Sequence, residues 1–156
     1  MKPRFPAAAG LAFAIFALGS LVFILGGNGH AAVVHTCSAT DRQFLGTAQL
    51  NMEALGSISD DYLHGNAKAD DVLAQTDSAL NGLVNTNPSD PSLAKTRAIL
   101  RGMFQEYAHA IREDKRHHDP GKYIYRAYGL ANFAHDVLAQ AEPALAKKGC
   151  DVSPLL

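Results

Sequence analysis

Two short stretches of this chain carry residue types that bind metals. Glu106-x-x-His109 has the spacing of a di-iron bundle ligand pair, and His117-His118-Asp119 sets two imidazoles beside a carboxylate. Such a donor set suits zinc, copper or nickel, and His64 in His64-Gly65-Asn66 joins it if the fold brings the two segments together. Haem is a second possibility, because His135 with Met52 or Met103 supplies the imidazole and thioether of a common axial pair. Cys37 and Cys150 are the only cysteines. Their chemistry is disulfide formation in an oxidising compartment.

Whether any of these groups meet depends on the elements that carry them. Between the two cysteines, apolar residues recur at helical rather than alternating spacing, in four segments. The first is expected over Asp41 to Leu63, with Leu45, Ala48, Met52, Leu55 and Tyr62 inward and Ser38 or Thr40 as cap. The second covers Ala67 to Val84, with Val72, Leu73, Thr76, Leu80 and Leu83 on one face. The third runs from Pro91 to Arg116, opened by Asp90-Pro91 as cap and first helical residue and stopped by Asp119-Pro120-Gly121. The fourth runs from Lys122 to Lys147, with Ile124, Ala127, Ala131, Ala134, Leu138, Ala141 and Leu145 inward and Gly149 as terminator. Pro143 lies inside it, so a kink near Ala139 or a restart at Pro143 is expected.

Four amphipathic helices with short connections predict an all-α, up-down-up-down four-helix bundle over residues 41–150. An even number of passes returns the chain to its starting end, which sets Cys150 beside Cys37 and predicts a disulfide between them. Residues 29–40 then serve as a linker and 151–156 as a tail.

On this frame the metal motifs fare unevenly. With Leu100 as the core direction, Glu106 lies about 120° and His109 about 180° away, so the di-iron spacing faces outward. The His64 and His117-His118-Asp119 segments both fall at the end of the bundle away from the cysteines. Arg112, Lys115, Arg116, Lys122 and Arg126 gather there too, making a basic tip that would suit an anionic partner. Cations in the last turn of the third helix also complement its dipole. His135 falls about 20° from Ile124, at the margin of the fourth helix's inward stripe. Leu130, Phe133 and Val137 lie about 80° to 140° off that stripe, as a second apolar face of the kind that marks partner surfaces.

The N-terminus carries a different signal. Residues 7–27 hold no charge and are long enough to cross a hydrocarbon core of about 30 Å. Lys2 and Arg4 precede this run, which orients the chain so that everything beyond residue 28 lies outside the cytoplasm. Residues 1–28 are thus a transmembrane anchor, or a signal segment removed near Gly29-His30-Ala31, in which case the bundle is secreted. Setting Lys2 and Arg4 aside from the chain's 14 basic residues leaves twelve against fifteen acidic ones, a balance that disfavours nucleic acid.

Catalytic machinery is not apparent. Leu55-Gly56-Ser57-Ile58-Ser59 lacks the final glycine of a nucleophile elbow and lies mid-helix, and Gly121-Lys122 has no upstream phosphate-binding glycines. The sequence therefore points to an extracytoplasmic, membrane-tethered or secreted helical bundle that works without a cofactor as a binding protein. The alternative is an exported bundle holding a divalent metal or haem.

Overall fold

A computed structural model describes residues 36–156. The expected anchor or signal segment at residues 1–28 and the possible cleavage site lie outside the described residues. Four helices pack together: α1 Ala39–Leu63, α2 Ala69–Val84, α3 Pro91–Lys115 and α4 Gly121–Lys147, followed by a 3-10 turn at Ser153–Leu155. Among the described residues there is no strand, and no helix is long and apolar enough to cross a membrane.

Local chemistry sets the helix ends. Ser38 caps α1 by accepting the backbone N–H of Asp41 at 3.0 Å, and Asp90 caps α3 by accepting that of Ser92 at 2.8 Å, with Pro91 as the first helical residue. At α2 the Asp71 carboxylate accepts the N–H of Lys68. The C-terminal ends of α1 and α4 share one device: Gly65 and Gly149 adopt φ of 77° and 73°, and the next residue's N–H reaches back to the carbonyl of Asp61 or Leu145. Only glycine takes that backbone conformation without a steric cost. Pro143 neither breaks nor restarts α4, which is one helix through Lys147, and its ring sits on an exposed face.

Side-chain pairs fix the directions. Asp41 at the start of α1 meets Ser89 and Asp90 at the start of α3, and Tyr62 near the end of α1 donates to Asp114 near the end of α3, so α1 and α3 run parallel. Lys115 at the end of α3 bonds Asp70 at the start of α2, and Lys148 just past α4 bonds Asp90, so α2 and α4 run the opposite way. Consecutive helices pack along their lengths, α3 against α4 most extensively, and α1 meets α3 across the diagonal. The side between α1 and α4 is held differently. There the Cys37–Cys150 disulfide ties the two ends, and the 3-10 turn packs on α1. Val152 is fully buried, so residues 151–156 are part of the fold rather than a free tail.

Phe44 and Phe104 lie fully enclosed among Leu83, Leu93, Ile111, Leu138 and Leu145. Each such side chain contributes about 1.5–3 kcal/mol by leaving water. Phe44 was absent from the stripe expected for α1, and Tyr107 on α3 is partly buried.

At the disulfide end, four donors converge on the buried carboxylate of Asp41. Ser38 and Ser89 donate their hydroxyls at 2.7 and 2.9 Å, and Ser89 and Asp90 their backbone N–H groups at 2.7 and 3.0 Å. Burial pushes the Asp41 pKa up, but these bonds outweigh it and hold it below the ordinary 3.8. Asp90 shows the same balance: burial raises its pKa, while Lys148 at 2.7 Å and the N–H groups of Ser92 and Leu93 bring it down overall. Bonding to Asp90 correspondingly raises Lys148 above 10.5.

Depressed carboxyl pKa values stabilise the fold above pH 3.8, and that contribution is lost as pH falls through the lowered values. The Lys148 contribution is present below pH 10.5 and lost as pH rises through its raised value. Asp41→Ala leaves two backbone N–H groups without an acceptor and should cost about 1–3 kcal/mol. Circular-dichroism melts from pH 7 down to about 2 check both points: the wild-type midpoint should drop below about pH 4, and by less in Asp41→Asn. The disulfide spans a separation of 113 residues, so its reduction should cost up to about 4 to 5 kcal/mol. Melts with and without reductant measure that loss, and identical midpoints would show that the bond contributes nothing.

Candidate functional site

The loops after α1 and after α3 lie at one end, as the Lys115–Asp70 bond requires. Yet the residues singled out there as metal ligands are occupied by backbone and side-chain roles. His64 places Nδ1 2.8 Å from the carbonyl of Asp60, four residues back. His117 has φ of 62° and does for α3 what glycine does for α1 and α4. It is the left-handed residue of the helix stop, and His118 N–H reaches back to the Glu113 carbonyl at 3.0 Å. His118 also sets Nδ1 2.9 Å from the Glu113 carboxylate, and Asp119 accepts the N–H of Gly121 at 2.8 Å at the start of α4. Among the described residues no group of three His, Cys, Asp or Glu is placed to hold a metal ion.

The haem donors differ in exposure. His135 was expected at the inward margin of α4, but its side chain is half-exposed, with Nδ1 3.7 Å from Asp136. Met103 is buried and Met52 partly so. The inward tyrosines engage other partners: the partly buried Tyr107 donates to Ser59 at 2.8 Å and the buried Tyr62 to Asp114. Burial raises the pKa of both phenols, so each stays a protonated donor.

Two cations of the basic tip are paired with carboxylates. Lys115 pairs with Asp70 at 2.6 Å, and Arg116 and His118 share Glu113, which lies below its ordinary pKa because of the His118 bond and Arg116. Arg126 reaches Glu106 only at 3.8 Å, Arg112 is partly buried, and Lys122 lies with its ammonium 5.7 Å from the Tyr123 ring. Glu106, read from the sequence as a solvated face, in fact sits at the α3–α4 seam.

That seam explains the outer surface of α4. Along it Lys95 meets Phe133, Gly102 faces Leu130, Glu106 approaches Arg126 and His109 stacks on Tyr123, a continuous antiparallel register. Of the three residues expected as a second apolar face, Leu130 is partly buried in this seam and Val137 is buried. Only Phe133 remains exposed, at 47%. Two residues not singled out in the sequence join it: Tyr125 at 80% and Tyr128 at 53% exposure. Their signal was present, since Tyr125 lies about 100° from Ile124 on a helical wheel, but ordinary solvated tyrosines look the same in one dimension.

No family model, curated protein or solved structure matches the chain. What the geometry offers is therefore a rigid helix with three exposed aromatic rings, flanked by the cations of Lys95, Lys122 and Arg126.

A capping role for His117 has a direct consequence. His117→Gly relieves the steric cost of the left-handed conformation and should raise stability by up to about 1 kcal/mol. Thermal melts of both proteins should also be insensitive to added zinc. A destabilised glycine variant, or a zinc-dependent midpoint that His117→Gly abolishes, would show instead that the imidazole itself is the functional group.

Proposed function

We propose that this chain is an extracytoplasmic helical bundle, tethered to the membrane through residues 7–27 or secreted after their removal, that acts as a non-catalytic binding protein. Its contact surface is the outer face of α4. The observation that carries this reading is the exposure of Tyr125, Tyr128 and Phe133 on a single helix whose inner side is packed along α3. Aromatic residues are enriched in protein interfaces and supply much of their binding energy. They are also held on a regular element, which positions them better than a loop would.

The topology suits a tether. Residue 36 leads into α1 at the disulfide end, where α4 also finishes. With about 1.5 Å per residue, the aromatic rings stand about 20 to 35 Å along α4 from that end, clear of a lipid headgroup layer. A disulfide joining the two ends of the domain fits an oxidising compartment.

Site-specific photocrosslinking of the full chain in intact cells tests the surface. A photoreactive phenylalanine in place of Tyr125 should give a discrete covalent adduct, and the same group at Asp77, exposed on α2, should give none. Tyr125→Ser with Phe133→Ser should change stability by no more than about 0.5 kcal/mol each, whereas Phe104→Ala should cost about 3–5 kcal/mol. Adducts at Asp77 but not at Tyr125, Tyr128 or Phe133 would move the contact surface elsewhere. Labelling of reduced Cys37 and Cys150 by a membrane-impermeant reagent checks export, and labelling only after lysis would refute it.

A further inference from the structure

We propose that the partner presents an acidic protein segment to this face: carboxylates that reach Lys95, Lys122 and Arg126, and an apolar or aromatic side chain seated among Tyr125, Tyr128 and Phe133. This rests on the reading of α4 as the contact surface. Lys122 and Arg126 lie on α4, and Lys95 lies beside Phe133 on α3. Lys115, Arg116 and Lys148 each bond a carboxylate at 3.0 Å or less. Lys95 and Lys122 have no carboxylate within ion-pair distance among the described residues, and their ammonium groups lie 5.0 and 5.7 Å from the rings of Phe133 and Tyr123. Arg126 touches Glu106 only at 3.8 Å, and the Oε2 atom of Glu106 is buried without a hydrogen bond.

Residues 121–135 contain no Asp or Glu, on a domain where acids outnumber bases. The face is therefore a cationic island with an aromatic centre. A cation resting on a ring keeps its donors available, and a carboxylate gives them short charge-assisted hydrogen bonds that a ring cannot. An acidic peptide with an apolar anchor satisfies both halves of the surface at once. Three cations are too few to hold a nucleic acid against the acidic remainder of the domain. A second copy of this chain would bring Asp136 and Glu142 to Lys122 only with antiparallel α4 helices, which sends the two N-terminal segments to opposite ends of the pair.

The full chain in detergent micelles, titrated into dye-labelled peptides and followed by fluorescence anisotropy, tests this. The probes are helical and extended peptides bearing Asp or Glu around one Phe or Leu, the same peptides with Asn and Gln, and the same with Lys. The acidic set should bind saturably, about tenfold or more tightly than the amide set, and the lysine set should not bind. Lys122→Glu with Lys95→Glu should weaken the acidic set by about tenfold or more, as should raising salt from about 0.05 to about 0.5 M, with unchanged melting midpoints. Equal binding of the amide set, abolished by Tyr125→Ser, would keep α4 as the contact face and remove the acidic partner. Binding that survives both Tyr125→Ser and the charge reversals would remove both. Absence of any binding would overturn the acidic partner, and a concentration-dependent mass lost in Tyr125→Ser would then assign the face to a second copy.

Discussion

A single buried carboxylate holds together the end of the bundle where the chain begins and finishes. Asp41 belongs to the first turn of α1, yet two of its four donors are backbone N–H groups at the entry to α3. It therefore acts as a tertiary cap, satisfying donors that a helix start leaves open and fixing α1 against α3 in the same bonds. Asp90, one of those donors, caps α3 and draws in Lys148 from beyond α4. The disulfide lies in the same cluster and joins the residue before the Ser38 cap to the residue after Gly149. This matters because α1 and α4 are tied mainly at this end. Without the clamp, nothing comparable at the far end would keep α4 in register with α1.

That uneven packing also explains what the sequence could and could not tell. Helix bounds to within two residues, the Ser38 and Asp90 caps, the Gly149 stop and the disulfide follow from local chemistry and from counting passes, and all of these appear in the structure. Most of the α4 stripe follows as well, since Ala127, Ala134, Leu138 and Leu145 are buried as expected. The expected stripe centres about 50° from Ile124 and the buried residues Ala127, Ala134, Val137, Leu138 and Leu145 about 75°, a further turn of about 25° toward α3. That turn buries Val137 and moves His135 outward. The cause is tertiary: α4 packs chiefly on one neighbour, and hydrophobic spacing on a helix with many alanines leaves its facing direction loosely specified.

The loop end carries roles that residue types alone do not announce. Histidines and an aspartate between two helices look like ligands when only their types are visible. Their backbone roles depend on where α3 stops and on a left-handed residue that need not be glycine. His117 shows that an imidazole-bearing residue can occupy such a position, which histidine, asparagine and aspartate tolerate more often than other side chains do. The charge of the basic tip is only partly legible for the same reason: Glu113 lies three residues from Arg116, but Asp70, the partner of Lys115, is 45 residues away on another helix.

Lys115, Arg116 and Lys148, at or just past the ends of α3 and α4, bond carboxylates at hydrogen-bond distance, so their fields are spent within the domain. Lys95 on α3 and Lys122 on α4 rest instead on aromatic rings, where the attraction is weaker and the donors stay partly solvated. Exposed surface pairs add little to stability in either arrangement, so folding alone gives no strong reason to keep Lys95 and Lys122 from acids. Because α4 is clamped at one end by Asp90 through Lys148 and packed along α3, the face is presented already ordered, and little conformational entropy is left to lose on binding.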